Sequence, residues 1–221
     1  MVNPKYTLYI RETIPESLNP IQNGNFLDVE IRKFSIIRRT NAVKIRGLDF
    51  LSGCPIILAG NNDDHGLAYD IFKEYFKQRK PKEAILDVRD YHSDCFEEKY
   101  GKSWSWVRRL AKDYPEINQI RVYCCKDAEH SPQPKVIISP KLPNKAELNE
   151  LKQSKKVITS IDLDFLHLNN FKRADFNRII NSLMYKREYL DIYFADGYEN
   201  LKQMQKNFIN IFLKALFNNE L

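Results

Sequence analysis

No run of this 221-residue chain is apolar for long enough to span a bilayer, which takes roughly 20 consecutive apolar residues. Its opening, "MVNPKYTLYIRE", is charged too early for a secretion signal. Cysteine is scarce. Cys54, Cys95, Cys124 and Cys125 form no CxxC pair and no regular spacing, which argues against a zinc knuckle and a disulfide framework and leaves reduced, buried thiols. There is no internal repeat, no low-complexity tract and no dense basic tail. The net charge of +6 is spread along the chain and by itself argues only weakly for an acidic or nucleic-acid partner. A soluble, cytoplasmic protein with no membrane and no nucleic-acid partner is expected, and its oligomeric state is open.

What is present is a regular alternation. From Pro55 onward short apolar runs alternate with amphipathic ones: "PIILAG" then "GLAYDIFKEYFKQ", "AILDV" then "SWSWVRRLAKDY" with Ser103 as a candidate cap, "INQIRVYCC" then "NKAELNELKQ", "KVITSIDLDF" then "RADFNRIINSLMYKR". "YLDIYFA" and a last helix with Leu201, Met204, Phe208, Ile211, Phe212 and Ala215 on one stripe close the series. Such alternation predicts right-handed crossovers and a three-layer αβα sandwich around a mostly parallel sheet. Residues 1–50 differ: "YTLYI", "FLDVEIRKFSIIRR" and "AVKIRG" are β-prone without helical partners, and read as a β-rich N-terminal addition, a hairpin at a sheet edge. The Pro- and Lys-rich "HSPQPKVIISPKLPNK" reads as an irregular loop containing one short strand. The length fits one α/β domain over 1–221, with residues 55–221 as its main core.

Acids and histidines recur where predicted strands end, the position at which open α/β sheets bind ligands. "PIILAG" leads to Asp64 and His65, "AILDVR" to Asp90, His92 and Asp94, "KVITS" to Asp162 and Asp164, and "YLDIYF" to Asp196 and Glu199. Taken singly, each has a plain structural explanation: an Asp before a helix is usually a cap, and a lone His is more often a satisfied polar residue than a ligand. D-x-H-x-D and S-x-D-x-D together, in this order and each at a strand end, are hard to obtain by accident. An extended backbone would also point Asp90, His92 and Asp94 the same way.

Carboxylates converging at a sheet end repel one another, and a buried unpaired ion costs several kcal/mol. A cation removes the conflict. Nitrogen and carboxylate ligands without thiolate fit manganese, magnesium, iron or zinc, with preference for the harder ions. Two imidazoles and four carboxylates exceed what one ordinary ion takes. Two divalent ions would balance the charge of Asp90, Asp94, Asp162 and Asp164.

These motifs resemble those of a known family. "DYHSD" resembles the D-x-H-x-D motif of the ureohydrolases, the arginase and agmatinase group; "SIDLD" resembles their S-x-D-x-D motif; and "AGNNDDHG" stands where they carry Gly-Gly-Asp-His. The likeness runs from about Pro55 to Glu199 and is closer to a small branch that includes the peptide arginases of ribosomal-peptide biosynthesis. It implies an arginase-like fold and two Mn(II) ions, one held by His65, Asp90, Asp94 and Asp162 and the other by His92, Asp90, Asp162 and Asp164. It also implies attack of metal-bridging hydroxide on the guanidinium carbon of arginine residues in a precursor peptide, leaving ornithine and urea. Asp94 would pass a proton to the leaving amine, and Asp196, with Glu199 second, would hold the guanidinium.

The chain departs from the family in places. His167 stands where Asp-Pro is usual, and its role is open between structural and catalytic. No clear counterpart of the family's shuttle histidine follows D-x-H-x-D; His130 could serve only if its loop folds over the site. "CFEEKYGKSWSW" does not match the segment that fixes the α-amino and α-carboxylate groups of free arginine, which favours an arginine-containing peptide as partner. Tyr91, Tyr100, Trp104 and Trp106 are either core or an aromatic wall, and Arg108 and Arg109 either a solvated face or a contact for an acidic peptide. Three alternatives stand beside a peptide substrate: free arginine, agmatine or another small guanidino compound; a non-catalytic peptide-binding protein on the same fold; and, more remotely, a metal-dependent deacylase.

Overall fold

The computed structural model describes residues 6–12, 29–39, 42–51, 53–59, 65–97, 104–126, 133–194 and 199–218. They form nine strands, β1 (Tyr6–Arg11), β2 (Val29–Arg39), β3 (Ala42–Arg46), β4 (Cys54–Ala59), β5 (Ala84–Arg89), β6 (Ile117–Tyr123), β7 (Val136–Ser139), β8 (Val157–Asp162) and β9 (Tyr189–Tyr193). The helices are α1 (Leu67–Arg79), α2 (Trp106–Asp113), α3 (Lys145–Gln153), α4 (Asp164–Leu168), α5 (Phe176–Asn181) and α6 (Glu199–Asn218). One sheet takes all nine strands in the order β3-β2-β1-β4-β9-β8-β5-β6-β7. Every pair is parallel except the antiparallel β2–β3 hairpin at the edge.

Alternation along the strands sends side chains to opposite faces, and each face is covered by its own helices. Leu86, Val88, Ile120, Val122 and Ile158 meet α1 and α2 through Ile71, Phe72, Trp106 and Leu110. Ile56, Leu58, Ile161, Leu190 and Ile192 meet α4, α5 and α6 through Phe165, Ile179, Phe208 and Phe212. The sandwich expected from the sequence is therefore the fold found, including the α6 stripe at Phe208 and Phe212 and the short strand β7 within the Pro-rich loop.

The differences are local. β1, from the segment read as an addition, lies inside the sheet, parallel between β2 and β4, while β2 and β3 make the expected edge hairpin. β8 stops at Asp162 where a strand through Phe165 was expected, because the Asp162 side chain accepts the Asp164 amide (3.0 Å) and turns the chain into α4. The helix read over "RADFNRIINSLMYKR" is only a 3-10 turn at Arg173–Asp175 followed by α5. Before α2, Ser105 takes the cap position, though its side chain does not bond the helix's first amides, and Ser103 lies outside the described residues. Asn144 does cap α3, in a reciprocal box with Glu147.

A buried ion pair fixes the end of β5. Arg89 Nη2 donates to Asp87 Oδ2 at 2.9 Å, and both residues are 0% exposed. Tyr185 also donates to Asp87 Oδ2, Thr159 is 3.1 Å from the Tyr185 hydroxyl, and the Arg89 guanidinium lies 4.6 Å over the Tyr123 ring. Removing one partner strands a charge in the interior. Arg89→Met should cost about 3–5 kcal/mol, read as a lower urea midpoint at pH 7. Adding Asp87→Leu should recover part of the loss, and a single variant as stable as the parent would contradict the ion pair.

Candidate metal centre

The order of the strands makes a crevice. β4, β5, β6 and β7 advance across the sheet with α1 and α2 on one face, and β8 and β9 return to fill the places between β4 and β5 with their helices on the other. Where neighbouring strands send their helices to opposite faces, the space beyond their carboxyl ends is left open. β5 and β8 are such neighbours, paired at Arg89 and Ile161, so Asp90 and Asp162 emerge side by side. His65 approaches from the start of α1, where its carbonyl accepts the Ala68 amide.

Both aspartates are aimed by the same local device. Asp90 Oδ1 accepts the His92 amide at 2.8 Å, just as Asp162 Oδ1 accepts that of Asp164. Each is an Asp-initiated turn, and each leaves Oδ2 facing His65. Asp90 Oδ2 lies 3.3 Å from His65 Nδ1, Asp162 Oδ2 3.2 Å and Asp94 Oδ2 2.9 Å. On the other side of Asp90, His92 Nδ1 lies 3.7 Å from Asp90 Oδ1 and 3.1 Å from Asp164 Oδ2.

The stretch 90–94 is not the extended backbone that the alternation of Asp90, His92 and Asp94 suggests. β5 ends at Arg89, and Asp94 has φ +50°, a left-handed conformation that aspartate tolerates. Turn and reversal, rather than pleat, bring the three side chains together. Asp94 is held on three sides: its carbonyl accepts the Val107 amide (3.1 Å) and the Arg108 amide (3.4 Å) at the start of α2, and its Oδ2 accepts the Trp106 indole N–H. Trp106 is buried and lies edge-on to His65, ring centroids 5.1 Å apart, with Tyr193 at 4.9 Å on the same imidazole. His92, by contrast, is a quarter exposed, with Tyr91 at 5.2 Å and the 43%-exposed Trp104 at 5.1 Å. One imidazole is deep and the other stands at the opening.

The electrostatics match the crowding. Burial pushes the Asp90 carboxyl well above the usual range, with Asp94, Asp164 and Asp162 adding to the effect. Burial, then the Asp164 charge, pushes Asp162 up to about 7. At His65 burial works downward, but the Asp94, Asp162 and Asp164 carboxylates outweigh it and carry the imidazole up to about 9. A single proton on Nδ1 cannot serve three carboxylate oxygens, and Asp90 Oδ2, Asp164 Oδ1 and His65 Nε2 are buried without a hydrogen-bond partner. A divalent cation takes nitrogen and several oxygens at once, so the donor set fits metal better than protons. Two overlapping groups have atoms close enough to share an ion: His65, Asp90 and Asp162, and Asp90, His92 and Asp164.

All the residues named from the two motifs, together with His65, therefore converge. Asp64, Tyr100, His130 and Asp196 lie outside the described residues, and Glu199 is the first residue of α6, its side chain likewise outside them. His167 is exposed on α4 and belongs to neither group. Sequence reasoning left Trp106 between core and wall, and it proves to be the residue that holds Asp94. It missed Asp191, a buried acid on β9 pushed up to about 6 by burial, against the lowering effect of a hydrogen bond from the Tyr193 hydroxyl (3.0 Å). The signal was available in an aspartate amid the apolar "YLDIYF".

No family model and no curated protein matches the sequence. Solved structures do share the fold. An Entamoeba histolytica arginase in complex with L-ornithine superposes with a TM-score of 0.63 at 10% identity, over 97% of this chain and 99% of that one. A hypothetical agmatinase from Burkholderia thailandensis gives 0.61 at 9%, over 96% and 85%, and a Helicobacter pylori arginase 0.52 at 13%, over 96% and 98%. The fold is arginase-like.

Raised values at Asp90, Asp162 and His65 mean that folding of the metal-free protein is favoured by protons at these sites. For Asp162 that contribution is complete below its ordinary 3.8 and lost as pH rises through about 7; for His65 it is complete below 6.5 and lost through about 9. A divalent cation held by the same donors should restore what the protons no longer supply. The rise in melting temperature on adding Mn(II) to chelator-treated protein should therefore grow from pH 6 to pH 8.5. A rise independent of pH would contradict the cluster as its binding site.

Proposed function

We propose that the protein is a ureohydrolase that uses two manganese ions to convert arginine residues of a peptide to ornithine with release of urea. The observation that carries this is the convergence of Asp90, Asp94 and Asp162 on His65 Nδ1, with more acceptors than a proton can satisfy, at the crevice of an arginase-like sheet. His65, Asp90, Asp94 and Asp162 would hold one ion, and His92, Asp90, Asp162 and Asp164 the other. When bound, such a pair supplies positive charge and a water whose pKa is lowered toward neutrality.

The chain's own groups account for the remaining needs. Asp94 is anchored through Oδ2 by Trp106 and His65, which leaves Oδ1 to carry a proton to the departing amine. A guanidinium beside two cations needs a compensating acid. Asp196, just beyond β9 in the chain, is the first choice and Glu199 the second. The exposed Trp104, with Phe96 against it at 5.7 Å and His92 at 5.1 Å, gives the opening an aromatic rim that suits a peptide better than a free amino acid.

An arginine-containing peptide incubated with the protein and Mn(II) should lose the mass of one cyanamide unit per arginine, with matching urea, while free arginine turns over far more slowly. His92→Ala should depress both signals by more than the roughly 10–100-fold expected for losing an outer partner of a metal ligand. Equal rates on free arginine would replace the peptide by a small guanidino substrate. Absence of urea from every guanidino compound would remove the hydrolase.

A further inference from the structure

A second concavity, with a volume of about 970 Å³, is lined by residues of α3, of the stretch from Asn169 through α5 and of the segments after β6 and β7, none of them a candidate metal ligand. It is lined by Lys126, Lys141, Lys152 and Arg178 together with apolar residues such as Leu142, and among the described residues no aspartate or glutamate lines it. Arg178 is engaged by Asp175 at 3.2 Å, whereas the three lysines are exposed and take part in none of the ion pairs found among the described residues. Like charges gathered without a counter-charge raise the local concentration of an anionic ligand.

Its position ties it to the site. The Lys126 amide donates to the Tyr91 carbonyl at 3.0 Å, and the Tyr91 ring stands edge-on to His92. On the other side Asn169, also in the lining, ends the five-residue α4 that begins at Asp164, a separation of about 7.5 Å along the helix. Residues of the metal centre and of the lining are thus joined through one short helix and one backbone hydrogen bond, a separation on the scale of a few extended residues at roughly 3.3 Å each.

We propose that the cavity binds an acidic, partly apolar stretch of the same peptide whose arginine enters the metal centre, so that substrates are chosen by a segment remote from the reacting bond. This rests on the peptide substrate proposed above. Charge complementarity selects the acidic residues, and the apolar lining admits a neighbouring aliphatic side chain. A nucleic-acid strand is the poorer fit: single strands are gripped by stacking successive bases on aromatic side chains, and the described lining holds one aromatic, Phe171.

The test is fluorescence anisotropy in chelator, without turnover, using a labelled peptide with one arginine flanked by a run of glutamates and leucines. Its Gln-for-Glu analogue and a labelled oligonucleotide of equal charge serve as comparisons. The acidic peptide should bind at least roughly tenfold more tightly than the Gln analogue and weaken as salt is raised. Lys126→Glu/Lys141→Glu/Lys152→Glu should lose that preference, and Lys126→Gln/Lys141→Gln/Lys152→Gln, a milder set that guards against misfolding, should reduce it, both with the parent's melting temperature. Equal binding of the two peptides, undiminished binding by both folded variants, or equal binding of the oligonucleotide would overturn the proposal. Because no turnover is read, such a failure would leave the hydrolase itself standing, and a protein inactive on guanidino groups would still report on the cavity.

Discussion

Four carboxylates, Asp90, Asp94, Asp162 and Asp164, are gathered with His65 and His92 at the end of the β5–β8 crevice, most of them out of water. Bringing like charges together in a poorly solvated place is among the costlier things a fold can do. Burial and mutual repulsion raise Asp90 and Asp162. Protons relieve the crowding in part, leaving buried oxygens and a ring nitrogen without hydrogen bonds. A divalent cation, which takes a nitrogen and several oxygens at once, would satisfy the donors that protons leave unpaired.

The organisation is built from backbone. Two Asp-initiated turns, at Asp90 and at Asp162, commit one oxygen of each carboxylate to the chain's own amide and present the other to His65. Asp94 is bound at its carbonyl by the first amides of α2 and at its side chain by Trp106. Below them the Arg89–Asp87 pair holds the last residues of β5 on the opposite face. The site is thus set at the end of the sheet, with the partly exposed His92 and the exposed Trp104 at its opening.

Much of this was legible in the sequence. A parallel α/β sandwich follows from the alternation of apolar runs and amphipathic helices, and the candidate ligands lie within two short motifs plus His65. What was not legible depends on contacts distant in the chain or on backbone reversal. Alternation at Asp90, His92 and Asp94 suggested a pleat, but a left-handed Asp94 produces the convergence. "YTLYI" announces a strand without announcing its neighbours, and β1, which reads with residues 1–50 as part of an addition, lies inside the sheet between β2 and β4. Trp106 looked like core because it is core; only the docking of α2 shows that its indole N–H is bonded to Asp94. Asp191 and the Asp87–Arg89 pair sit on strands as polar residues amid apolar ones, a signal of burial with a partner that sequence alone could not name.

On this account the crowded carboxylates hold two ions. Crystals of the protein saturated with manganese, measured at the manganese absorption edge, test it most directly. Two anomalous peaks should stand in the crevice, one against His65, Asp90 and Asp162 and the other against Asp90, His92 and Asp164. A crevice with no peak, or with one ion however much manganese is supplied, would contradict it.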